Sequence, residues 1–392
     1  MDFELTAEEQ AFQAEVEAFL REHHTPEVMD PNPEQLSQTV DTPAKRAFLR
    51  KLAERGWLGM SWPREYGGRE LPGIYDFILC EALARHGAPQ PGKGVGIVGK
   101  TIIRHGSPEM KRRFLPRIIR GEIEFAIGYS EPQAGSDAAN MQLRATRVPG
   151  GWRLDGQKIW TTSAHFADYY WLGARTDPDA PKHRGITLFL IPMDSPGLTI
   201  HPTWTIGDER TNEVYFDGVF APDESVVGEV NRGWTYICEA LDLERFAMMP
   251  VGPLEMKVQA LAGELRRARR AGRPLRADPR VRSAAARIAT ELEVARVLQK
   301  RVVSEAVKGR VPTVESSQYK LFMTELGKRV ASAALDLLGP ESQLRAGEPG
   351  APVGGRFERS YRYTVVDTIG GGTSEIQKNI IGRRGLGLPP SY

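Results

Sequence analysis

Along the first 123 residues, apolar residues recur at the spacing of helices. The segments KRAFLRKLAERGWLGM and IYDFILCEALARHG each place their apolar residues on one stripe, and Ser107 is positioned to cap a further helix. The proline-rich stretch PEVMDPNPEQLSQTVDTP interrupts this pattern and predicts a loop. We therefore predict an N-terminal helical domain over residues 1–123.

From residue 124 to residue 234 the pattern changes to that of strands. The segment GGWRLDGQKIWTTSA predicts two strands joined by a tight turn at Asp155 and Gly156. The segments DYYWLGART, GITLFLIP and NEVYFDGVFAP add β-branched and aromatic runs bounded by glycine and proline. This part predicts a small antiparallel β domain.

Helical spacing returns over residues 235–392. The segments ADPRVRSAAARIATELEVARVLQKRVVSEAV and VESSQYKLFMTELGKRVASAALDLLG have the lengths expected of helices in a bundle. The order of helices, then strands, then a helical bundle indicates an α+β fold.

Composition excludes several classes of protein. The 392 residues contain 52 Lys and Arg against 50 Asp and Glu, a balance that argues against a general nucleic-acid binder. Cys80 and Cys238 are far apart, which predicts neither a metal site nor a disulfide framework and fits a reducing compartment. We find no signal-peptide pattern and no apolar run of the roughly eighteen residues that a membrane span needs. The expected location is the cytoplasm.

Two segments of the predicted β domain offer groups for holding a ligand. IGYSEPQAGSDAANMQLRATR is a loop rich in backbone donors, although taken alone it is more typical of an ordinary connection. GQKIWTTSA brings the indole of Trp160 next to the hydroxyls of Thr161, Thr162 and Ser163. Such a group suits a flat polar ring, which would pack on the indole and hydrogen-bond to a hydroxyl. Packing of Trp160 in the core is the alternative.

A carboxylate lies within an apolar helical face in the segment TYICEALDLERFAMMPVG. Glu244 falls in the middle of this face, whereas Glu239 and Asp242 lie away from it. The apolar members of the face are Ile237, Ala240, Leu241, Ala247, Met248 and Val251. A carboxylate in such a place is either paired or has a raised pKa, which makes it a candidate general base. The alternative is an ion pair with Arg245 or with an arginine of another helix.

The segment DTIGGGTSEIQ, residues 367–377, combines three glycines with a helix start. Ser374, Glu375, Ile376 and Gln377 fit the capping-box pattern, which predicts a helix beginning there. The glycines let the backbone approach a ligand closely, although a flexible entry into the helix explains them equally well. No residue of the segment is a convincing proton acceptor.

Four segments together resemble the acyl-CoA dehydrogenase family along essentially the whole chain: GYSEPQAGSDAA, DGQKIWTTSAHFAD, GEVNRGW and GGGTSEIQKNIIGRR. The resemblance implies an N-terminal helical domain, a middle antiparallel β domain and a C-terminal four-helix bundle, with FAD bound between them. It also implies the reaction. A carboxylate removes the α-proton of an acyl-CoA thioester, the β-hydrogen leaves as hydride to flavin N5, and the electrons pass to an external acceptor such as electron-transfer flavoprotein.

The resemblance assigns roles position by position. Trp160 and Thr162 match the residues that stack beside the isoalloxazine and hydrogen-bond near N5. The other positions that match FAD contacts are Tyr129, Ser130, Gly135, Ser136, Thr373 and Glu375. The positions expected beside the substrate are Ser136, Arg245 and Gly371. No metal site is implied.

The chain departs from the family at the catalytic base. Many members carry it as the Glu of a Glu-Gly-Thr-Ser motif, whereas this sequence has Gly371 in that place. A smaller set, which includes isovaleryl-CoA dehydrogenase, has a Glu on an adjacent helix in a pattern that resembles LDLER, residues 241–245. This agrees with the place of Glu244 on an apolar face, and we predict that Glu244 is the base.

A second departure concerns assembly. Homotetrameric members complete each FAD site with an Arg-x-x-Phe-Gly segment and a Gln-x-x-Gly-Gly-x-Gly segment of a neighbouring subunit. Here Ala271 replaces the Phe, Asp336 the Gln and Pro340 the second Gly. This resembles bacterial heteromeric acyl-CoA dehydrogenases, including those of sterol side-chain degradation, and suggests a tetramer with a homologous partner subunit. The alternative is a homotetramer in which Arg267 or Arg269 serves instead.

Other functions on the same scaffold are an acyl-CoA oxidase, a two-component flavin monooxygenase and a non-catalytic subunit of a heteromeric dehydrogenase. A monooxygenase would not need a carboxylate at Glu244, and a subunit without flavin would have no use for Trp160 and Thr162. The residues therefore favour the dehydrogenase, while the acyl group stays open.

Overall fold

The computed structural model describes residues 4–35, 39–244 and 249–389, and within helix 233–244 the side chains of residues 242–244 are not described. Across these described ranges, no helix is both long enough and apolar enough to cross a lipid bilayer.

The N-terminal part is helical, as predicted. Its helices are α1 (Ala7–Glu22), α2 (Pro43–Glu54), α3 (Ile74–Arg85), α4 (Gly99–His105) and α5 (Pro108–Ile119), with a π-helical turn at Gly94–Val98. The prediction for Ser107 is confirmed, because its side chain accepts a hydrogen bond from the backbone N–H of Met110 and caps α5. The apolar faces of α1, α2 and α3 meet in one core around Trp57.

The middle part contains one eight-stranded sheet. Its strands are β1 (Phe125–Gly128), β2 (Arg144–Val148), β3 (Gly151–Lys158), β4 (Tyr169–Arg175), β5 (Ile186–Pro192), β6 (Leu198–Trp204), β7 (Arg210–Pro222) and β8 (Val226–Val227). The order is β6-β7-β3-β2-β4-β5-β8, with β1 beside β4. Most neighbours are antiparallel, as predicted, but β4 pairs in parallel with both β1 and β2. Both strands can lie parallel to β4 because neither is joined to it directly: β3 lies between β2 and β4 in the chain, and β2 and β3 lie between β1 and β4.

The predicted turn at Asp155 and Gly156 is wrong. Strand β3 runs through both residues, and its register against β7 shifts between Leu154 and Gly156. Gly156 has a φ of 139°, and a Cβ there would lie 2.9 Å from Leu143 Cδ1. The extra residue lies on β7, because Val219 and Phe216 are three residues apart whereas their partners Leu154 and Gly156 are two apart. Gly156 is the residue of β3 that faces this irregularity, in a conformation that favours glycine. The connection between β2 and β3 lies at residues 149–150.

The C-terminal part is a helical bundle. It contains α6 (Gly233–Glu244), α7 (Gly252–Arg267), α8 (Pro279–Val307), α9 (Thr313–Leu338), α10 (Arg356–Asp367) and α11 (Ser374–Ile380), with a small hairpin of β9 (Arg269–Arg270) and β10 (Arg273–Pro274). The prediction that the apolar helical face continues to Val251 is wrong, because Met249 and Pro250 are not helical and α7 begins at Gly252. Proline lacks the N–H that a continuing helix needs, which explains the break.

Candidate active site

The loop that follows β1 presents its glycine and serine to solvent. Gly135 and Ser136 are exposed, and a Cβ at Gly135 would meet no atom within 4 Å. Tyr129, at the start of the loop, is partly buried, and its hydroxyl accepts a hydrogen bond of 2.7 Å from Trp171 Nε1. Ser130 is half-buried, and its carbonyl accepts a hydrogen bond from the N–H of Ile159. The loop is therefore fixed at its start and open at its tip.

A buried ion pair ties this loop to the end of β3. Lys158 Nζ lies 2.7 Å from Glu131 Oε1, and the two side chains are 0% and 2% exposed. Glu131 also accepts hydrogen bonds from the N–H groups of Gln142 and Leu143. Burial lowers the pKa of Lys158, and the carboxylate of Glu131 opposes that shift. Our sequence reasoning missed this pair, although Lys158 occupies an inward position of β3 in step with Trp152 and Leu154.

The turn after β3 exposes the indole of Trp160. The side chain is 55% exposed, which excludes the core-packing alternative, and its φ of 60° is rare for a bulky residue. The next residue, Thr161, is anchored because its N–H donates to the carbonyl of Asn212 and its own carbonyl accepts from Asn212 Nδ2. Thr162 is half-buried and follows this anchor. The turn thus places a flat apolar surface beside hydroxyl groups.

The glycine segment between α10 and α11 is held from two sides. Lys320 Nζ, on α9, donates hydrogen bonds to the carbonyl oxygens of Asp367 (3.1 Å) and Gly372 (2.7 Å). Gln377 Nε2 donates to the carbonyl oxygens of Gly371 (3.2 Å) and Gly372 (3.1 Å). Gly371 and Gly372 have φ values of 67° and 95°, in the region that favours glycine. The segment is therefore ordered by its contacts and does not serve merely as a flexible entry.

Helix α11 begins at Ser374, as predicted, but the capping residue was wrongly assigned. Thr373 is the N-cap, since its Oγ1 accepts a hydrogen bond from the N–H of Ile376. Ser374 instead donates to Glu325 Oε1 at 2.7 Å. A run of Thr and Ser offers two hydroxyls one residue apart, and the sequence does not distinguish them. Glu375 is exposed, and hydrogen bonds to its own backbone N–H and to Thr373 lower its pKa.

Helix α6 carries the predicted base at its end. Ile237 and Ala240 are buried and Glu239 lies off their face, as the pattern predicted. Glu239 Oε2 lies 2.7 Å from His105 Nε2. Glu244 is the last residue of α6. Its side chain lies outside the described part of the chain, and so does the whole of Arg245. The structure therefore leaves both assignments as predictions.

The two segments that stand where homotetrameric family members complete a neighbouring FAD site lie side by side. Arg270 Nη2 donates a hydrogen bond of 2.8 Å to the carbonyl oxygen of Leu337, which joins the β9–β10 hairpin to the end of α9. Arg269 donates to the carbonyl of Gly272 and remains exposed, while Arg267 pairs with Glu264 at 3.0 Å. The hairpin thus presents arginines at the surface beside Pro340.

A cavity of about 210 Å³ lies between the helical part and the sheet. Ser163 and Phe166 border it from the turn that carries Trp160 and Thr162. Its wall contains two acidic side chains, Asp76 and Glu124, and two basic ones, Lys93 and Lys100. The described residues contain no group of three or more His, Cys, Asp or Glu side chains arranged to hold a metal ion. Sequence reasoning did not find this cavity, because its lining residues come from six separate segments.

Comparisons with known proteins give consistent results. The chain matches the models of the acyl-CoA dehydrogenase N-terminal domain over residues 6–122, the middle domain over residues 126–219 and the C-terminal domain over residues 231–386. It is 35% identical over 351 residues to acyl-CoA dehydrogenase FadE26 of Mycobacterium tuberculosis, with 88% of each chain covered.

Two solved structures are similar over the full length of both chains. The Tcur3481-Tcur3483 steroid ACAD has 34% sequence identity and a TM-score of 0.89, with 100% of each chain covered. The ChsE4-ChsE5 complex from Mycobacterium tuberculosis has 33% identity and a TM-score of 0.89, again with 100% of each chain covered.

Proposed function

The chain belongs to the acyl-CoA dehydrogenase family, and on this premise we propose that Glu244 is the base that removes the α-proton of its acyl-CoA substrate. The protein is an FAD-dependent enzyme that converts an acyl-CoA thioester into the α,β-unsaturated enoyl-CoA. Its fold is the predicted one, with helical, sheet and bundle parts in that order. The domain boundaries after residues 123 and 234 remain our proposals.

The residues assigned to FAD have the chemistry that a flavin needs. Trp160 offers an exposed flat apolar surface, and Gly135 and Ser136 offer an open backbone and a hydroxyl. Ser130 and Thr162 supply further polar groups on the same two loops, and Thr373 and Glu375 do so at the start of α11. Tyr129 fixes the start of the first loop. When bound, FAD supplies the acceptor for the β-hydrogen, which leaves as hydride. We propose that these residues hold and orient it, and that Ser136, Arg245 and Gly371 lie beside the substrate.

The position of Glu244 supports its proposed role as base. It is seven residues after Ile237 and four after Ala240, both buried, and therefore falls on the same face of α6. A carboxylate removed from water holds a proton more strongly, which suits it to abstract one from the α-carbon. Gly371 carries no group that could do this in its place.

The experiment follows the absorbance of bound flavin on adding a panel of acyl-CoAs. Wild-type flavin should bleach with at least one of them, and Glu244→Gln should retain FAD without bleaching. Glu239→Gln is the matched control, because Glu239 lies on the same helix but contacts His105. Turnover of Glu244→Gln close to wild type would show that the base is elsewhere.

We further propose that the chain forms a heterotetramer with a homologous subunit. The replacements at Ala271, Asp336 and Pro340 support this, as does the similarity to the ChsE4-ChsE5 complex. Expression alone should give protein with less than one FAD per chain, and co-expression with a homologous chain should restore FAD. A fully flavinated and active homotetramer of this chain alone would instead support donation by Arg267 or Arg269.

We propose electron-transfer flavoprotein, or a similar protein, as the electron acceptor and the cytoplasm as the compartment. An acyl-CoA oxidase would pass its electrons to oxygen. Substrate-reduced enzyme mixed with oxygenated buffer should therefore reoxidise far more slowly than with electron-transfer flavoprotein. Fast reoxidation by oxygen would favour the oxidase.

A further inference from the structure

The turn that carries Trp160 has a strained backbone that the tryptophan side chain does not stabilise. Trp160 has a φ of 60°, which is rare for a bulky residue, and its indole is 55% exposed. A strained residue keeps such a conformation only where the surrounding structure enforces it. Just before it, Ile159 donates its N–H to the carbonyl of Ser130. Just after it, Thr161 is fully buried, and its hydroxyl lies 2.8 Å from that of Tyr170. The constraint on the turn therefore acts through these two neighbours.

Asn212 of β7 supplies the backbone contacts just after that tryptophan. Its carbonyl accepts the N–H of Thr161 at 3.0 Å, and its Nδ2 donates to the carbonyl of Thr161 at 2.8 Å. The regular pairing of β3 with β7 ends at Lys158 and Val214, so the side-chain amide takes the place of a backbone partner that the sheet no longer provides. Asn212 is fully buried. One buried residue thus bonds both backbone groups of Thr161, directly before Thr162.

The remaining groups of this amide are also bonded, and they fix its orientation. Asn212 Oδ1 accepts a hydrogen bond of 3.1 Å from Arg210 Nε. Because the carbonyl of Thr161 accepts, the end of the amide that faces it has to be the donating nitrogen. This nitrogen also lies 3.1 Å from Nδ1 of His165. An amide nitrogen donates and does not accept, so Nδ1 is the acceptor and His165 is neutral, with its proton on Nε2.

The surroundings of His165 favour its neutral form. Partial burial of the ring and the charge of Arg210 lower its pKa, and Asp41 opposes them. The neighbouring ring of Phe166, at 5.0 Å between centroids, carries no charge. A protonated His165 would present an N–H to Nδ2 of Asn212, so that two donors would face each other. Acidification therefore breaks this contact and removes one of the bonds that hold the amide.

Resting on the proposed function, we infer that Asn212 is a positioning residue for FAD, because its amide keeps Trp160 and Thr162 in the arrangement that receives the isoalloxazine. The neutral ring of His165 in turn holds the amide. Asn212 is buried behind the turn and acts through Thr161, so it is not itself a flavin contact. The turn is then ordered before FAD arrives, which lowers the free-energy cost of ordering it on binding.

The first test measures FAD binding to flavin-free protein, together with its partner subunit if FAD requires one. Asn212→Leu keeps the approximate size of the side chain and removes all its hydrogen bonds. FAD titrations at pH 8, followed by the quenching of FAD fluorescence, should give a dissociation constant raised roughly tenfold or more. Glu213→Gln is the matched control and should leave the constant unchanged. Glu213 is the next residue of β7, and its side chain lies on the other face of the strand, where it accepts a hydrogen bond from Tyr215.

A pH profile separates positioning from a general loss of stability. His165→Leu replaces an exposed ring and leaves the buried amide in place, so this variant should fold as wild type does. FAD binding should be strongest where His165 is neutral and should weaken as the pH falls through its pKa. Between pH 8 and pH 5, the dissociation constant of wild type should rise about threefold to tenfold more than that of His165→Leu, the range for one hydrogen bond. Other titrating groups cancel, because both proteins contain them.

These outcomes are distinct from those that test the dehydrogenase, since FAD binding is measured without any acyl-CoA. A dissociation constant of Asn212→Leu equal to that of Glu213→Gln would overturn the inference and leave the proposed function intact. Parallel pH profiles of wild type and His165→Leu would also overturn it, and this comparison decides alone if Asn212→Leu does not fold. Failure of every acyl-CoA to bleach the bound flavin would overturn the proposed function, and with it the premise of the inference.

Discussion

The ammonium group of Lys320 donates a hydrogen bond of 2.7 Å to the carbonyl oxygen of Gly372. A second bond from the same group reaches the carbonyl of Asp367, so that one buried side chain spans the two ends of the glycine segment. Carbonyl groups at this place have left the hydrogen-bonding pattern of α10 and need other donors. Lys320 is therefore a positioning residue for the segment that the family resemblance assigns to FAD.

We predict that Lys320→Met loosens this segment and weakens FAD binding. Losing hydrogen bonds from a charged donor should lower the free energy of unfolding by about 1.5–3 kcal/mol. FAD titrated into flavin-free protein, followed by the quenching of its fluorescence, should show a dissociation constant raised by roughly tenfold or more. Lys308→Met is the control, since Lys308 is exposed at the end of α8. An unchanged dissociation constant would show that Gln377 alone holds the glycines.

The pair formed by Lys158 and Glu131 should respond differently to single and double substitution. Lys158→Met leaves the carboxylate of Glu131 buried without its cation, which should cost about 3–5 kcal/mol of unfolding free energy. Adding Glu131→Gln removes that charge and should recover part of the loss. Urea denaturation of both variants measures this. A double variant that is less stable than Lys158→Met would contradict the argument, and would indicate that the hydrogen bonds from Gln142 and Leu143 to the carboxylate matter more.

Much of the fold follows from periodicity in the sequence. Helical spacing located the N-terminal helices and the bundle, because it records which side of a helix is buried. Runs of β-branched and aromatic residues bounded by glycine and proline located the strands. The prediction of a turn at Asp155 and Gly156 was wrong, because a glycine with unusual backbone angles also occurs within a strand where the neighbouring strand has an irregular register. The prediction of a helical face that continues to Val251 failed at Pro250, because the apolar residues continue there although the helix does not.

The site was less accessible to sequence reasoning than the fold. The motifs indicated Trp160, Thr162 and the glycine segment, but not the residues that hold them. Lys320 lies on the buried face of α9, together with Met323, Thr324 and Gly327. Glu244 was identified because it is an ionisable residue on an apolar helical face. The same feature could have identified Lys320. The cavity could not be predicted, because its wall is assembled from segments far apart in sequence.

Strand β3 at Gly156, opposite the bulge of β7, should be sensitive to a single methyl group. Gly156→Ala places a Cβ 2.9 Å from Leu143 Cδ1 at a φ of 139°, so we expect a loss of about 1–3 kcal/mol in unfolding free energy. The control is Gly263→Ala in α7, where a Cβ meets no atom within 4 Å and a gain of about 0.5–1 kcal/mol is expected. Thermal or urea unfolding measures both. Equal stability of Gly156→Ala and wild type would mean that the bulge relaxes freely.

Asp367 should make the stability of the protein depend on pH. Burial raises the pKa of this carboxyl to about 7, an effect that Lys257 opposes and Glu34 reinforces, and its Oδ1 has no hydrogen-bond partner within the described residues. The folded state therefore keeps a proton that the unfolded state releases between its ordinary pKa of 3.8 and about 7. The stabilisation is complete below the lower value and is lost as the pH rises through the higher one.

Asp367→Asn tests this directly, because the amide keeps the shape and has no proton to lose. Over pH 5 to 7 the unfolding free energy of wild type should fall relative to that of Asp367→Asn, by at most about 1.4 kcal/mol per pH unit for one proton. Above pH 7 the variant should be the more stable of the two, since it carries no buried charge. Urea unfolding at pH 5.5 and pH 7.5 measures the difference, and other buried acids such as Glu124 cancel because both proteins contain them. A difference that is the same at both pH values would show that Asp367 is already ionised in the folded protein, with Lys257 and Lys320 compensating for its burial.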